Sequence, residues 1–235
     1  MARQIVDDAA PFTGFADTKR RFFHTLAKNQ TRDWFKAHED EYRHGWLEPM
    51  HALLWDVRAK LVKTYGDAAL DPPKVFRIHR DVRFSRDKAP YKTNIGGFLP
   101  IAGRGSSGVP GPVALYVQLG TENYVGAGNW IMEPAQLAAY RAALLDERRG
   151  GELTKLLAKL GKAGFSAGSH DALKKVPRGF DPEHPRAELA KRKGLVVAFP
   201  ALPPELLTSR ELVDWLAKNA RSAAALVEWL RGTAA

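Results

Sequence analysis

The chain has no cysteine among its 235 residues. Disulfide staples, thiolate nucleophiles and cysteine-ligated metals are therefore excluded. No apolar run approaches the roughly 18 residues that a membrane-spanning helix needs. The opening residues, MARQIVDDAAPF, place no apolar stretch behind Arg3, so neither a membrane span nor a signal peptide is expected, and the cytoplasm is the simplest location. Phosphate-binding and metal motifs are missing too. Gly103 to Gly108 has the glycine spacing of a Walker loop without the Lys-Ser/Thr that would reach phosphate and magnesium, and neither a dinucleotide fingerprint nor an HExxH motif occurs. His38, His44 and His51 recur near Glu39, Asp40, Glu41 and Glu48, but no spacing among them closes a tight site, so no metal and no cofactor are expected. There is no internal repeat and no linker long enough to divide the chain, which reads as a single domain over residues 1–235.

What the chain has in excess is positive charge. The net charge is +10, from 36 Lys and Arg against 26 Asp and Glu. Lys74 to Lys92 carries +5 and Lys155 to Lys193 carries +6, so essentially all of the excess lies in two segments. Charge concentrated in this way points to an anionic partner. The plain alternative is a solubilising surface, and Lys155 and Lys159 fit the wet face of a helix.

Periodicity divides the chain into a helical stretch over 15–66, a strand-rich stretch over 74–132 and a mostly helical stretch over 134–231. Asp17 is the expected cap of a first helix bearing Phe22, Phe23 and Leu26. Thr31 caps a second with Trp34, Phe35, His38, Tyr42 and Trp46, and Pro49 opens a third with Leu53, Leu54, Val57 and Leu61 that ends near Gly66. Strands are expected at Val75 to Phe84, Tyr91 to Leu99, Val113 to Leu119 and Tyr124 to Met132, the last two joined as a hairpin, with a Gly- and Ser-rich loop over Gly103 to Pro112. Helices follow at Pro134 to Arg148, Gly151 to Gly161 and Ser209 to Arg231, with a Thr208/Glu211 capping box, and Leu195 to Phe199 is a short strand available to the sheet. The fold class is α+β, an antiparallel or mixed central sheet flanked by N-terminal and C-terminal helices.

Read as an extended strand, Phe76 to Phe84 sorts into two faces. Phe76, Ile78, Val82 and Phe84 share one with Arg80, while Arg77, His79, Asp81 and Arg83 share the other. A guanidinium on an apolar face must find a carboxylate or other acceptor, so Arg80 is either structurally paired or binds a ligand. The continuation Ser85-Arg86-Asp87-Lys88-Ala89-Pro90-Tyr91-Lys92 adds cations at a turn, where binding residues concentrate. The arginine fork suits phosphate or carboxylate, and Lys88 or Lys92 adds a point charge.

The run Arg77-Ile78-His79-Arg80-Asp81-Val82-Arg83-Phe84-Ser85-Arg86-Asp87-Lys88-Ala89-Pro90-Tyr91-Lys92 resembles the signature of a mainly bacterial family catalogued as domain of unknown function 2461. That signature has Arg, two residues, Arg-Asp, one residue, Arg-Phe, then Asp-Lys and Pro-Tyr. The resemblance extends over Phe12-Thr13-Gly14-Phe15, over Asn29 to His38 with Trp34-Phe35, and over Leu173 to Pro185 with Pro177-Arg178-Gly179-Phe180-Asp181 and His184-Pro185. Gln30 departs from it, at a position where a second Asn is expected. The family brings no established activity with it.

Three readings follow. In the first, an anionic, phosphate-bearing ligand occupies a basic cleft lined by Arg77, Arg80, Arg83, Lys88, Tyr91 and Lys92, with Arg178 and His184 of the second basic segment approaching from across it. Whether the protein is an enzyme stays open; if it is, Asp81 or Asp87 is the general base. In the second, the protein is a nucleic-acid-binding module in which the basic segments contact phosphates and Phe98, Tyr116 or Tyr124 stack on bases. In the third, the signature is a structural ion network with no ligand. Gly164 to Gly168 matches a nucleophile-elbow string, with Asp181 and His184 following in triad order, but it lacks a preceding strand and carries no hydrolase expectation. Tyr124, Gly126, Gly128 and Trp130 alternate on one strand face, a trough more often filled by a crossing helix than by a ligand.

Overall fold

The structure is a computed structural model describing residues 10–101 and 113–233. The opening residues 1–9 and the expected loop over Gly103 to Pro112 lie outside the described residues.

The N-terminal helices form where apolar residues recur at helical spacing. Helix α1 (Arg21–Lys28) buries Phe22, Phe23 and Leu26, and α2 (Arg32–Ala37) buries Phe35. Thr31 caps α2 as expected, its hydroxyl accepting from Trp34 N–H at 3.3 Å. At α1 the cap differs from expectation. The helix starts three residues later than an Asp17 cap implies, behind Arg20 at φ 52°, although Asp17 still accepts the Arg21 N–H. A non-glycine residue with positive φ needs an external anchor; Arg20 has one, donating from Nε to the Gly120 carbonyl at 2.7 Å. Helices α3 (Glu39–Tyr42) and α4 (Glu48–Tyr65) are joined by a π-helical turn, Arg43–Leu47. That turn inserts fully buried Trp46 between Phe15 and Phe23, with ring centroids 5.3 and 4.9 Å away. Gly66 ends α4 at φ 80°.

Six strands form one wholly antiparallel sheet in the order β1-β2-β3-β4-β6-β5. They are β1 (Lys74–Val75), β2 (Asn94–Ile101), β3 (Val113–Gly120), β4 (Tyr124–Asn129), β5 (Ser166–Gly168) and β6 (Leu195–Ala198). The β3–β4 hairpin and the addition of β6 follow the sequence expectation, whereas β5 had no sequence signal. The long first strand expected over Val75 to Phe84 is reduced to β1, because beyond Ile78 the chain leaves the sheet and pairs with itself.

The two faces of the sheet differ. Ile95, Leu99 and Ile101 of β2, Val113, Leu115, Val117 and Leu119 of β3, and Val125 and Ala127 of β4 point into the core, where α4 covers β2 and α9 (Ala224–Arg231) covers β3 and β4. Gly97 lets α4 approach, since a Cβ there would stand 2.6 Å from Leu54 Cδ1. Helix α8 (Glu211–Ser222) packs beside α4, and α5 (Pro134–Leu145) and α6 (Glu147–Lys162) extend the same layer, with Tyr140 edge-on to Trp229 at 6.1 Å. The break between α5 and α6 falls at Asp146, which caps α6 through Arg149 N–H at 2.7 Å. The last helix breaks at Ala223, and Ser209 rather than Thr208 caps its start, because Thr208 is still in the 3-10 turn Pro204–Thr208. The short α7 (Ala187–Ala190) lies against α5.

Candidate functional site

The signature segment is a closed loop at the edge of the sheet. Its stem is a short antiparallel ladder: Lys92 N–H donates to Ile78 O and Arg80 N–H to Pro90 O, both at 2.8 Å, with His79 opposite Tyr91. Ile78 and Tyr91 are buried. The Tyr91 ring stacks on Phe35 of α2 at 4.4 Å, and its N–H donates to Gln30 Oε1 at 3.0 Å. Tyr91, expected among the ligand contacts, is therefore an anchor of the stem. Gln30, the departure from the family pattern, supplies the acceptor that holds it.

At the tip the charges satisfy one another. Arg80 Nη1 donates to Asp87 and to the Ala89 carbonyl, and Asp87 accepts the Ala89 N–H at 2.9 Å. Arg83 forks onto both oxygens of Asp81, at 2.9 and 2.7 Å, and Lys88 Nζ reaches the Val82 carbonyl at 3.0 Å. The Arg83 side-chain bond, helped by its backbone N–H and by the charge of Arg77, holds Asp81 below the usual carboxylate range; the Ala89 N–H and then Arg80 do the same for Asp87. Carboxylates stabilised in this way are weak bases at neutral pH. Phe84, expected on an apolar face, is 95% exposed at the tip, with the Arg83 guanidinium 5.9 Å from its ring.

The two ion pairs of the segment are Arg80–Asp87 and Arg83–Asp81, which leaves Arg77, Arg86, Lys88 and Lys92 without a carboxylate partner among the described residues, Lys88 being held by the Val82 carbonyl alone. Lys92 Nζ stands 5.1 Å from the centroid of Phe76, and burial, then the charge of Arg77, lowers its pKa. Arg77 is exposed, and its charge acts on Asp81 and on Lys92.

Phe76 begins an aromatic row on the second face of the sheet, opposite the helices. Register places Phe98, Tyr116 and Gly126 side by side across β2, β3 and β4, with Gln118 beside Tyr124. Ring centroids run from Phe76 to Tyr116 (6.2 Å), Tyr116 to Trp130 (6.3 Å) and Trp130 to His170 (4.6 Å, stacked), with Phe98 5.2 Å from Phe76 and Tyr124 6.0 Å from Tyr116. The glycines on this face admit the rings themselves. A Cβ at Gly96 would meet the Tyr116 hydroxyl at 2.9 Å and one at Gly126 the Tyr124 hydroxyl at 2.9 Å, so both tyrosines lean along the sheet where a crossing helix was the commoner expectation. Tyr116 O–H donates to Gln118 Oε1 at 2.8 Å, and burial followed by the proximity of Tyr124 pushes its pKa up to about 12, so it stays a donor. Phe76 and Trp130 remain 42% and 46% exposed. Lys74, which pairs with Phe98 in register and so stands on this face, Gln118 and His170 were not singled out in the sequence. The available signal for Gln118 was its alternation with Val117 and Leu119, while His170 lies in a loop with no period to read.

The second basic segment meets the row only at His170 among the described residues. It runs from α6 through β5, at the sheet edge opposite β1, and its later part, on the way to β6, packs on α5. Arg186 is buried, donating to Leu144 O at 2.6 Å and to Glu147 at 2.7 Å. His184 Nδ1 accepts the Arg186 N–H at 3.1 Å, and Arg178 is exposed. Among the described residues no hydrogen bond or ion pair joins Arg178 or His184 to Arg77, Arg80 or Lys88, and the sheet separates the loop at its β1 edge from the segment at its β5 edge. Ser166 lies in edge strand β5 rather than on an elbow, and His38 and His44 bond the Trp34 and Asp40 carbonyls of their own helices.

A family model described as conserved hypothetical protein (DUF2461) matches residues 19–229. No curated protein and no solved structure matches the chain.

Proposed function

The chain belongs to the DUF2461 family, and we propose that it binds a phosphate-bearing ligand with a planar ring, of the nucleotide class, on the face of its sheet that no helix among the described residues covers. The observation that carries this reading is the aromatic row from Phe76 to His170 with Lys92 over the ring at its β1 end. Rings lying along a sheet stack on bases, each contact contributing about 1–3 kcal/mol. Of the cations lacking a carboxylate among the described residues, Lys92, which stands over Phe76, and Arg77, next to Phe76 in the chain, take the phosphate. Arg80, Arg83 and Lys88 act one step back. Their bonds to Asp87, Asp81 and Val82 O hold the loop that positions Arg77 and Lys92, which combines the ligand reading with the ion-network reading of the same signature.

The test is a thermal-shift series with nucleoside phosphates, the matching nucleosides, inorganic phosphate and short oligonucleotides, on wild type, Lys92→Met and Tyr116→Leu. Free ligand at a hundred times its dissociation constant stabilises by about 2.7 kcal/mol. Nucleotides should shift wild type more than nucleosides or phosphate do, and both variants should lose the shift. If no nucleotide of any length moves the wild-type melt, the reading is wrong.

A further inference from the structure

The length and composition of the surface narrow the ligand. Resting on the nucleotide reading above, we infer that it is a single-stranded nucleic acid of several nucleotides rather than a mononucleotide or a duplex. A mononucleotide covers one ring or two, yet the row offers Phe76, Tyr116, Trp130 and His170 in succession, with Tyr124 alongside. Sheets of this kind stack about two or three bases at once. The surface also continues past the sheet. Beyond Phe76 come Lys92 and Arg77, and the charge of Arg77 reaches Asp81 at the root of the loop whose tip presents Phe84 between Arg83 and Arg86.

Beside the rings on the sheet stands Lys92, over Phe76, and the signature loop that leaves this edge exposes Phe84 and its neighbouring arginines at its tip. A base-and-phosphate polymer uses both, rings for its bases and cations for its phosphates. The bases of a single strand are free to lie against these rings, whereas in a duplex the faces of the bases are stacked on one another and closed to them. The sheet centre adds a polar reader, since Gln118, held by the Tyr116 hydroxyl, can meet a base edge. The loop is stiffened by Arg80 on Asp87 and Ala89 O, by Lys88 on Val82 O and by the Arg83–Asp81 fork, so Phe84 is held out while 95% exposed instead of folding back onto the apolar stem.

The experiment is a fluorescence-anisotropy titration of the whole chain with a labelled single-stranded oligothymidylate and oligouridylate of about eight nucleotides. Competitors are thymidine monophosphate, unlabelled oligomers of increasing length and a duplex, and the proteins are wild type, Tyr116→Leu and Phe84→Ala. Phe84 is free of packing, so its variant folds whatever Tyr116→Leu does. Affinity should rise with length from one nucleotide to about four and then level off, the duplex should compete at least tenfold worse, and each variant should lose about 5- to 100-fold, the range of one base–aromatic contact. Monophosphate competing as well per molecule as the oligomers would overturn the polymer inference and leave the nucleotide reading standing. Binding of duplex equal to single strand, with Phe84→Ala at wild-type affinity, would overturn it in favour of a phosphate-only contact. No binding by any of these ligands would overturn both, and a dimer dissociated by Tyr116→Asp would then assign the face to a second copy.

Discussion

Lys92→Met separates a ligand contact from a structural one. The change keeps the stem and removes the charge. In the free protein Nζ stands 5.1 Å from the Phe76 centroid, a contact worth about 0.5–1 kcal/mol at a partly exposed site. Against it, burial and then the charge of Arg77 hold the ammonium below its ordinary pKa of 10.5. The two effects oppose each other, so stability should change by less than about 1 kcal/mol, or roughly 2–4 °C in Tm for a chain of this size. The pH dependence has a definite sign. Between the lowered folded value and 10.5, the unfolded chain holds more protons at this residue than the folded chain does. Wild type therefore gains stability from Lys92 as pH rises through that window, and Lys92→Met lacks this gain. Binding should respond quite differently from stability. One lysine–phosphate contact with a single strand contributes about 0.7 to the slope of log K against log salt, so the variant's slope should be shallower by about that amount. Anisotropy titrations across a salt series, beside calorimetric melts, measure both quantities. A Tm loss well beyond 5 °C, or an unchanged salt slope, would refute the assignment of Lys92 to phosphate.

Three further outcomes are expected. Gly97→Val should destabilise by about 1–3 kcal/mol through overpacking, because its Cβ meets Leu54 Cδ1 at 2.6 Å and Lys74 O at 3.1 Å; a urea melt indistinguishable from wild type would contradict the seating of α4 on β2. Arg186→Ala should cost about 2–4 kcal/mol, since a side chain 8% exposed loses Leu144 O and Glu147, while oligonucleotide affinity of the folded variant stays at the wild-type level. Lost binding without lost stability would move the anion site to the second basic segment. The Arg83 and Ala89 amides, which donate to Asp81 and Asp87, should be protected from hydrogen exchange at about pH 5 and lose that protection at about pH 2, because carboxyls with depressed folded pKa contribute their stability above the unfolded pKa and lose it as pH falls through the folded one. Equal protection factors at the two pH values would mean that the carboxylates do not hold the loop.

The parts of the fold that were legible in the sequence are those with a strong period. Phe22, Phe23 and Leu26, the Thr31 cap, Pro49 at the head of α4 and the β3–β4 hairpin all fall where helical spacing, capping chemistry and turn residues put them. The strand expected over Val75 to Phe84 failed for a physical reason. Alternation of apolar and charged residues states which way side chains point but not what the backbone pairs with, and from Ile78 onward the partner is the returning chain at Pro90 and Lys92 rather than β2. Arg80 was rightly singled out as needing a carboxylate, and it found one seven residues away in Asp87. The aromatic face was harder to see. Phe98, Tyr116 and Tyr124 were named as stacking residues, but their alignment with Phe76 and Trp130 depends on register across three strand pairs, which no local pattern encodes.

An aromatic sheet face that no helix covers among the described residues invites association, and the surroundings of this one bear on which partner it accepts. The strands at its two edges are short, β1 with two residues and β5 with three, so growth of the sheet by edge pairing has little template. Partners are left with the face itself. Another copy of the chain would bring a second rim of Lys74, Arg77 and Lys92 against the first, on a protein whose net charge is already +10, and like charges brought together oppose that approach. An acyl or purely apolar partner would cover the rings but strand the Tyr116–Gln118 pair and the two cations without acceptors. A ligand that is flat where the face is aromatic, polar at its ring edges where Gln118 lies, and negative where Lys92 and Arg77 stand meets all three conditions together. Of the partners weighed, nucleotide chemistry alone does so.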